Sequence, residues 1–314
     1  MKNKNLDLPS AFFFRLLKKI KKNKKNYLIT ADQGAWALEK FQKEVPRQYF
    51  NVGVSEQNMI GLAAGMSIEG NKIFVYAISS FVTQRCLEQI KVDLCIPNIP
   101  VVLIGSGSTL TYSFHGPTHQ AIEDIAMMRS LPNMTILNPC DNISAEAAVE
   151  YAMKSSGPVY IKLDKGFFPN IYSNYKDCQK GIYNYKLGRD ITIITTGYMT
   201  HKTKEICEIL KKYNLKPSLI DVFKIKPFDK KTMIQYCKKS DLIITIEEQN
   251  IIGGLGSIVA EIIADENIKI DLIRLGINDL YSEKYGDREW LHRYHGIDVE
   301  CIVNRILKHK SLKK

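Results

Sequence analysis

Val101-Val102-Leu103-Ile104-Gly105-Ser106-Gly107-Ser108 sets the fold class. Four apolar residues without polar alternation suit a strand buried on both faces. The glycine and serine run after them suits a tight turn beyond the strand's carboxyl end. Similar runs recur on either side at helix-length intervals: Tyr27–Thr30, Ile73–Tyr76, Met134–Leu137 and Val159–Leu163. A second set follows at Ile191–Thr196, Leu219–Val222, Leu242–Ile246 and Ile270–Leu275. Such strands, separated by helical segments, predict right-handed crossovers and a mainly parallel sheet, twice over. The expected fold class is therefore α/β. Between the two sets, Phe167–Asp190 holds Pro169, Gly181, Gly188 and four tyrosines and has no helical period. We place a first domain at 1–175, a linker at 176–189 and a second domain at 190–314.

A length of 314 residues suits two domains. Hydrophobic residues at 45% and charged residues at 25% exclude a disordered or fibrous chain. The 7 cysteines are odd in number and show no C-x-x-C spacing, against a disulfide framework or a zinc ribbon. Free thiols in a reducing cytosol are expected, and with them a cytoplasmic location. No run approaches the roughly 18 apolar residues of a membrane span. Leu8–Leu17 is apolar but interrupted by Arg15 and followed by lysines, which predicts a first helix rather than a signal peptide. The net charge of +11 invites a nucleic-acid reading. Yet the chain has 35 lysines and 9 arginines, whereas bidentate phosphate and base contacts favour arginine. The lysines also cluster at Lys18–Lys25 and Lys308–Lys314, so a solvated surface is expected, with no nucleic-acid or membrane partner.

Asn51-Val52-Gly53-Val54-Ser55-Glu56-Gln57-Asn58-Met59-Ile60-Gly61-Leu62-Ala63-Ala64-Gly65-Met66 is the most informative stretch for chemistry. Ser55 suits a helix cap, and Glu56 falls in the first turn, where an acid complements the helix dipole. The helix behind it is apolar and small-sided, so another backbone can come close. An acid leading such a helix is expected to be partly desolvated and suited to sharing a proton.

His115-Gly116-Pro117-Thr118-His119-Gln120 is the second cluster. Gly116 and Pro117 break any helix between the histidines, which argues against a metal pair there. Pro117 suits the first turn of a helix running to Ser130. A histidine at such a junction suits acid, base or substrate-donor work. Asp32 ends the first strand, where acids also occur simply as turn residues. Glu247-Glu248 after a later strand are expected to cap or to make contacts. His292 and His295 lack a third ligand nearby and are expected at the surface or in packing. Gly253-Gly254-Leu255-Gly256 matches neither a dinucleotide fingerprint nor a P-loop, and no Gly-x-Ser-x-Gly elbow occurs.

The Gly53–Asn58 segment with its small-residue helix resembles the pyrimidine-binding domain of transketolases. Gly116-Pro117-Thr118-His119-Gln120 is similar to that family's substrate-histidine motif. Ser80-Phe81 with Arg85, and Ile252–Ser257, match in the same order. The resemblance covers nearly the whole chain and is best to separately encoded C-terminal transketolase chains. Deoxyxylulose-phosphate synthases and β subunits of 2-oxoacid dehydrogenases are relatives. It implies a thiamine diphosphate pyrimidine-binding domain on a parallel sheet, followed by a smaller transketolase C-terminal-like α/β domain. The implied activity is transfer of a two-carbon ketol unit from a ketose to an aldehyde.

In that family a glutamate bonds N1′ of the cofactor's aminopyrimidine; the matching residue is Glu56. Phe81 matches the aromatic that stacks on the pyrimidine, and Asp32 an acid lining the cofactor pocket. His119 matches a histidine on the substrate's oxygens, with His115, Arg85 and Lys165 as further substrate contacts. Departures accompany these matches. His115 stands where an aspartate is usual, and Lys165 where an arginine is. Pro9 and Gly107 stand near two other substrate positions. No Gly-Asp-Gly motif followed by asparagine occurs, so no metal ligand is expected in this chain. Mg2+ and the diphosphate would then be held mainly by a separate N-terminal transketolase subunit, in an α2β2 assembly acting on sugars or sugar phosphates. A 2-oxoacid dehydrogenase β subunit and a degenerate structural or regulatory partner are the alternatives.

Overall fold

The computed structural model describes residues 6–34, 37–189 and 191–309. Asp190 of the inter-set stretch, residues 1–5 of the expected first domain, and Lys310, Lys313 and Lys314 of the terminal lysine cluster lie outside the described residues. The strands are β1 (Asn26–Thr30), β2 (Tyr49–Asn51), β3 (Lys72–Ile78), β4 (Val102–Ser106), β5 (Thr135–Leu137) and β6 (Val159–Leu163). They continue as β7 (Ile182–Lys186), β8 (Ile191–Thr195), β9 (Pro217–Val222), β10 (Lys224–Lys226), β11 (Leu242–Asn250) and β12 (Asp271–Ile277). The helices are α1 (Leu8–Lys22), α2 (Leu38–Glu44), α3 (Glu56–Ile68), α4 (Ser79–Thr83), α5 (Leu87–Gln89) and α6 (Asp124–Ser130). After them come α7 (Asn142–Lys154), α8 (Met199–Lys211), α9 (Lys230–Lys239), α10 (Leu255–Asp265), α11 (Arg288–His295) and α12 (Val299–Leu307).

The chain is α/β, with two mostly parallel sheets. The first has the order β10-β5-β6-β4-β3-β1-β2, and the second β12-β11-β8-β9-β7. Only β10 and β7 run antiparallel to their neighbours. All nine apolar runs read from the sequence are strands. β4 and β6 are buried along their whole length, as unalternated branched residues require. Apolar side chains of α1, α2 and α7 cover one face of the first sheet, where the Phe13 ring meets Tyr76 edge-on at 4.9 Å. Those of α3 and α6 cover the other, in a core that runs on into α9 and α10. Asp7 caps α1 by accepting from Ser10 N at 3.0 Å, and lysines fill its last turn, so Leu8–Leu17 opens a helix as expected.

Three strands depart from the reading: β2, a short exposed edge, β7 and β10. β7 lies inside the stretch expected as a linker. Its Ile-Tyr-Asn-Tyr-Lys sequence fits a half-exposed edge and carries no continuous apolar signal. β10, only Lys-Ile-Lys, leaves the second half of the chain and pairs with β5 of the first sheet. The two sheets are therefore stitched together.

A buried polar knot joins the halves beside this seam. Asp221, at the end of β9, accepts from Tyr172 of the first half at 2.5 Å and from Thr200 Oγ1 of α8. Burial pushes the Asp221 carboxyl up to about 7, against the lowering pull of those two hydroxyls. Its folded value lies above the unfolded one, so the folded chain holds this proton more tightly. The stability it contributes is full below about pH 4 and is lost as pH rises to about 7. Asp221→Asn, neutral throughout, is expected to flatten the pH dependence of the urea midpoint between pH 4 and 7. A profile parallel to wild type would contradict this.

Candidate active site

The expected site residues follow the carboxyl ends of β1, β2, β3, β4 and β6, where open parallel sheets bind ligands. Gly53, at φ +74°, turns the chain after β2, and Asn51 Oδ1 accepts from Gly53 N at 3.0 Å. Ser55 occupies the N-cap position of α3. Its hydroxyl donates to Val52 O at 2.9 Å instead of capping the helix, because the backbone there is not extended enough to face it inward. Glu56 in the first turn is only 3% exposed. Its Oε2 accepts from Arg85 Nη1 at 2.6 Å.

Helix α3 buries Met59, Ile60, Ala63 and Ala64 and turns Gly61, Leu62, Gly65 and Ile68 outward. A Cβ at Gly61 or Gly65 would meet nothing within 4 Å. Val54 and Ile68 are among the most exposed large apolar residues, and Val92 and Ile96 are exposed on the adjacent segment.

Phe81 is the middle residue of α4. Arg85, expected as a substrate contact, lies against Glu56 and Phe81. Its Cζ is 4.3 Å from the Phe81 ring centroid, because four residues of helical backbone fold it back over that ring. The His119 ring meets Phe81 from another side at 5.0 Å and His115 at 5.1 Å. Thr118 Oγ1 is 3.0 Å from His119 Nδ1. Burial lowers the His119 pKa, and the nearby His115 and Arg85 lower it further, which favours a neutral imidazole able to donate and accept.

Pro117 does not open a helix. Gly116 takes φ +74°, His119 N and Gln120 N both donate to Gly116 O, and Thr109 bridges Ala121, so α6 starts only at Asp124. This bridge makes residues 109–121 a closed loop. Asp124 anchors its return, accepting from Lys162 Nζ at 2.7 Å and from Tyr160 at 2.5 Å in a fully buried cluster.

Tyr112, not singled out from the sequence, is the hub of the loop. Its hydroxyl accepts from Lys165 Nζ at 2.5 Å and from Gln33 Nε2 at 2.8 Å. Its ring lies 5.5 Å from His115 and 6.1 Å from His119. Gly107, at φ +69°, is required beneath it, since a Cβ there would collide with that ring. Lys165, His115 and His119 are thus brought together around one tyrosine. Asp32 stands to the side, at φ +53°, where Asn51 Nδ2 donates to its Oδ1 at 3.0 Å. Gln33, its neighbour, reaches the cluster instead.

The second half of the chain holds this loop from below. Gln249 Nε2 donates to Thr109 Oγ1 and Ala121 O, at 2.8 and 3.0 Å. Arg288 of α11 donates to Glu248 and to Asp164, each at 2.7 Å, with its Cζ 3.5 Å from the Tyr198 ring centroid. Asp164 in turn receives Thr111 Oγ1 and Lys165 N. Glu247 caps α10, accepting from Leu255 N and Gly256 N at 2.7 Å, as a structural role requires. His292 is fully buried against Glu248 at 2.5 Å rather than at the surface. Among the described residues, no three His, Cys, Asp or Glu side chains gather in a way that could hold a metal ion. No described helix is long and apolar enough to cross a membrane.

Residues 15–169 match the transketolase pyrimidine binding domain and residues 182–302 the transketolase C-terminal domain. A Methanocaldococcus jannaschii protein named as a transketolase C-terminal section is 34% identical over 292 residues, 92% of this chain and 91% of its own length. The chain belongs to the transketolase family. An Actinobacillus succinogenes protein named as one subunit of an apulose-4-phosphate transketolase is 33% identical, over 89% of this chain and 90% of that protein. A solved structure of a split gene transketolase, described as an inactive beta4 tetramer, superposes with a TM-score of 0.89 at 31% identity, covering 99% of this chain and 100% of its own. The two sheets of this transketolase-family chain correspond to its pyrimidine-binding and C-terminal parts.

Proposed function

We propose that the chain is the pyrimidine-binding half of a split, thiamine-diphosphate-dependent transketolase. Joined to a separate diphosphate-binding subunit in a cytoplasmic α2β2 assembly, it transfers a two-carbon ketol unit from a ketose to an aldehyde. The observation that carries this reading is the pairing of a buried Glu56 with the Phe81 face at the head of α3. The seat they form already accepts a planar, N–H-bearing group, the Arg85 guanidinium, so the residues present fit an aminopyrimidine. When bound, thiamine diphosphate supplies the carbon nucleophile that cleaves and forms the C–C bond.

This chain's residues do the rest. Glu56 holds a proton at the pyrimidine N1′, and Phe81 fixes the ring plane. Asp32 lines the outer edge of that pocket. His119, neutral and 5.0 Å from Phe81, donates to or accepts from substrate oxygens. His115, Lys165 and Tyr112 face the substrate's remote end. The relative named for apulose-4-phosphate supports an anionic group there, for which Lys165 is the cation. The open, small-sided face of α3 supports a second chain packing beside Glu56, which would exclude water from the seat. Mg2+ and diphosphate ligands are assigned mainly to that second chain, which should carry the Gly-Asp-Gly motif missing here.

The test is native purification with identification of any stoichiometric companion, followed by assays of the reconstituted pair. The expected companion carries Gly-Asp-Gly, and the pair moves ketol units only with thiamine diphosphate. Pyruvate turnover onto a lipoyl domain, without ketose turnover, would place the chain with the dehydrogenase β subunits instead.

A further inference from the structure

Arg85 touches both groups that the proposed function gives to the pyrimidine. Its Nη1 donates to Glu56 Oε2 at 2.6 Å, and its Cζ lies 4.3 Å from the Phe81 centroid. Its backbone is fixed, since Gln57 Nε2 donates to Arg85 O at 3.1 Å. Its side chain is 42% exposed while that of Glu56 is 3% exposed. The carboxylate is thus a fixed feature of the site, and the guanidinium is a cover that can swing outward on a flexible stem.

A guanidinium and an aminopyrimidine use a site of this kind in the same way. Both are flat, both stack on an aromatic face, and both present nitrogen at the edge to a carboxylate. They cannot use it together: one carboxylate oxygen pair and one ring face are available. They also differ in one respect. The guanidinium never releases its proton, so it holds Glu56 as a plain ion pair, whereas a ring nitrogen can share one.

We propose that Arg85 gates the pyrimidine seat. In the free chain it keeps Glu56 paired and Phe81 covered, and the cofactor has to displace it. This rests on the assignment of Glu56 and Phe81 to the pyrimidine. The gate lets the chain exist apart from its companion without an uncompensated buried carboxylate. It also makes cofactor capture depend on a competing internal ligand, which lowers apparent affinity by the fraction of time the seat is covered.

The experiment is a titration of thiamine diphosphate with Mg2+ into the assembled enzyme, read by calorimetry and by stopped-flow protein fluorescence. Wild type is compared with Arg85→Met, which keeps the stem and loses the fork, and Arg85→Lys, which keeps only the charge. Arg85→Met is expected to bind about tenfold tighter and faster, with Arg85→Lys between it and wild type. Added guanidinium chloride at millimolar levels should weaken binding to Arg85→Met more than to wild type. The free Arg85→Met chain should melt below wild type, because Glu56 has lost its partner. If Arg85→Met fails to fold, Arg85→Lys carries the test, and an affinity equal to or below wild type overturns the gate. Weaker binding by Arg85→Met would make Arg85 a permanent cofactor contact and overturn it equally. Absence of binding to wild type itself would overturn the underlying assignment rather than the gate alone.

Discussion

Replacing Glu56 with alanine is expected to lower kcat of the assembled enzyme by ~10²–10⁴-fold, the range for loss of a positioned proton-transfer group. The residue is buried at the head of α3, its carboxylate oxygen lies 2.6 Å from a planar nitrogen donor, and the Cζ of that same guanidinium lies 4.3 Å from the Phe81 ring centroid. Arg85 is the side chain that bonds this carboxylate, and it is itself 42% exposed, so little packing depends on the acid. The fold should tolerate the change. Arg85 is left without its partner but is exposed enough to be solvated, so the melting temperature of the free chain should move little. Steady-state kinetics of the reconstituted pair, beside thermal melting of the free chain, separates the two effects. Wild-type kcat in Glu56→Ala would remove the basis of the proposed function. A large loss of stability with proportionate loss of activity would make Glu56 a structural acid.

The second large effect is expected at Arg288. This guanidinium bonds Glu248 and Asp164 at once, and the Coulomb pull of Arg288 with the His292 hydrogen bond holds Glu248 down to about 2 despite its burial. Its own ionisation is pushed upward by the same two carboxylates. Arg288→Met leaves both acids buried without a counter-charge, at a cost of about 3–5 kcal/mol. Arg288→Lys should rescue poorly, because an ammonium cannot bond both acids with the same fork. The loss should reach the substrate side. Thr111 and Lys165 are held by Asp164, Leu110 N by Glu248, and Thr109 by the adjacent Gln249. At concentrations that keep the variant folded, KM for the ketose should rise while cofactor affinity is retained. The pH dependence has a definite sign. Glu248 is depressed in the folded chain, so its contribution is present above about pH 4.5 and is lost as pH falls toward 2. Denaturation midpoints followed from pH 7 downward should show this loss in wild type and not in Arg288→Met. Wild-type stability in Arg288→Met would show that the network contributes nothing.

The sheets were legible because buried parallel strands announce themselves as continuous apolar runs. Ile191–Thr195 and Val159–Leu163 cannot easily be anything else. β2 and β7 were not legible, since Tyr49-Phe50-Asn51 and Ile182–Lys186 sit at sheet edges with little burial to shape their composition. β10 was hidden because its pairing with β5 joins residues far apart in the chain. At the candidate site, Glu56 and His119 stood out through local chemistry: an acid leading an apolar helix, and a histidine in a Gly-Pro loop. Gln33 and Tyr112 had a weaker signal, adjacency to Asp32 and His115, and only folding shows that they meet. The contact of Arg85 with Glu56 had no local signal, since the two are 29 residues apart. The Arg288 network had no local signal at all, since Arg288 and Asp164 are 124 residues apart.

We propose that half of a thiamine diphosphate site resides in this chain and is completed by another. The most direct measurement is calorimetric titration of thiamine diphosphate with Mg2+ into the chain alone, into its companion alone, and into the two mixed at equal concentration. Binding at one site per pair, tight only in the mixture and weakened by Glu56→Ala, is the predicted result. Equally tight binding to either chain alone, or none to the mixture, would contradict the account.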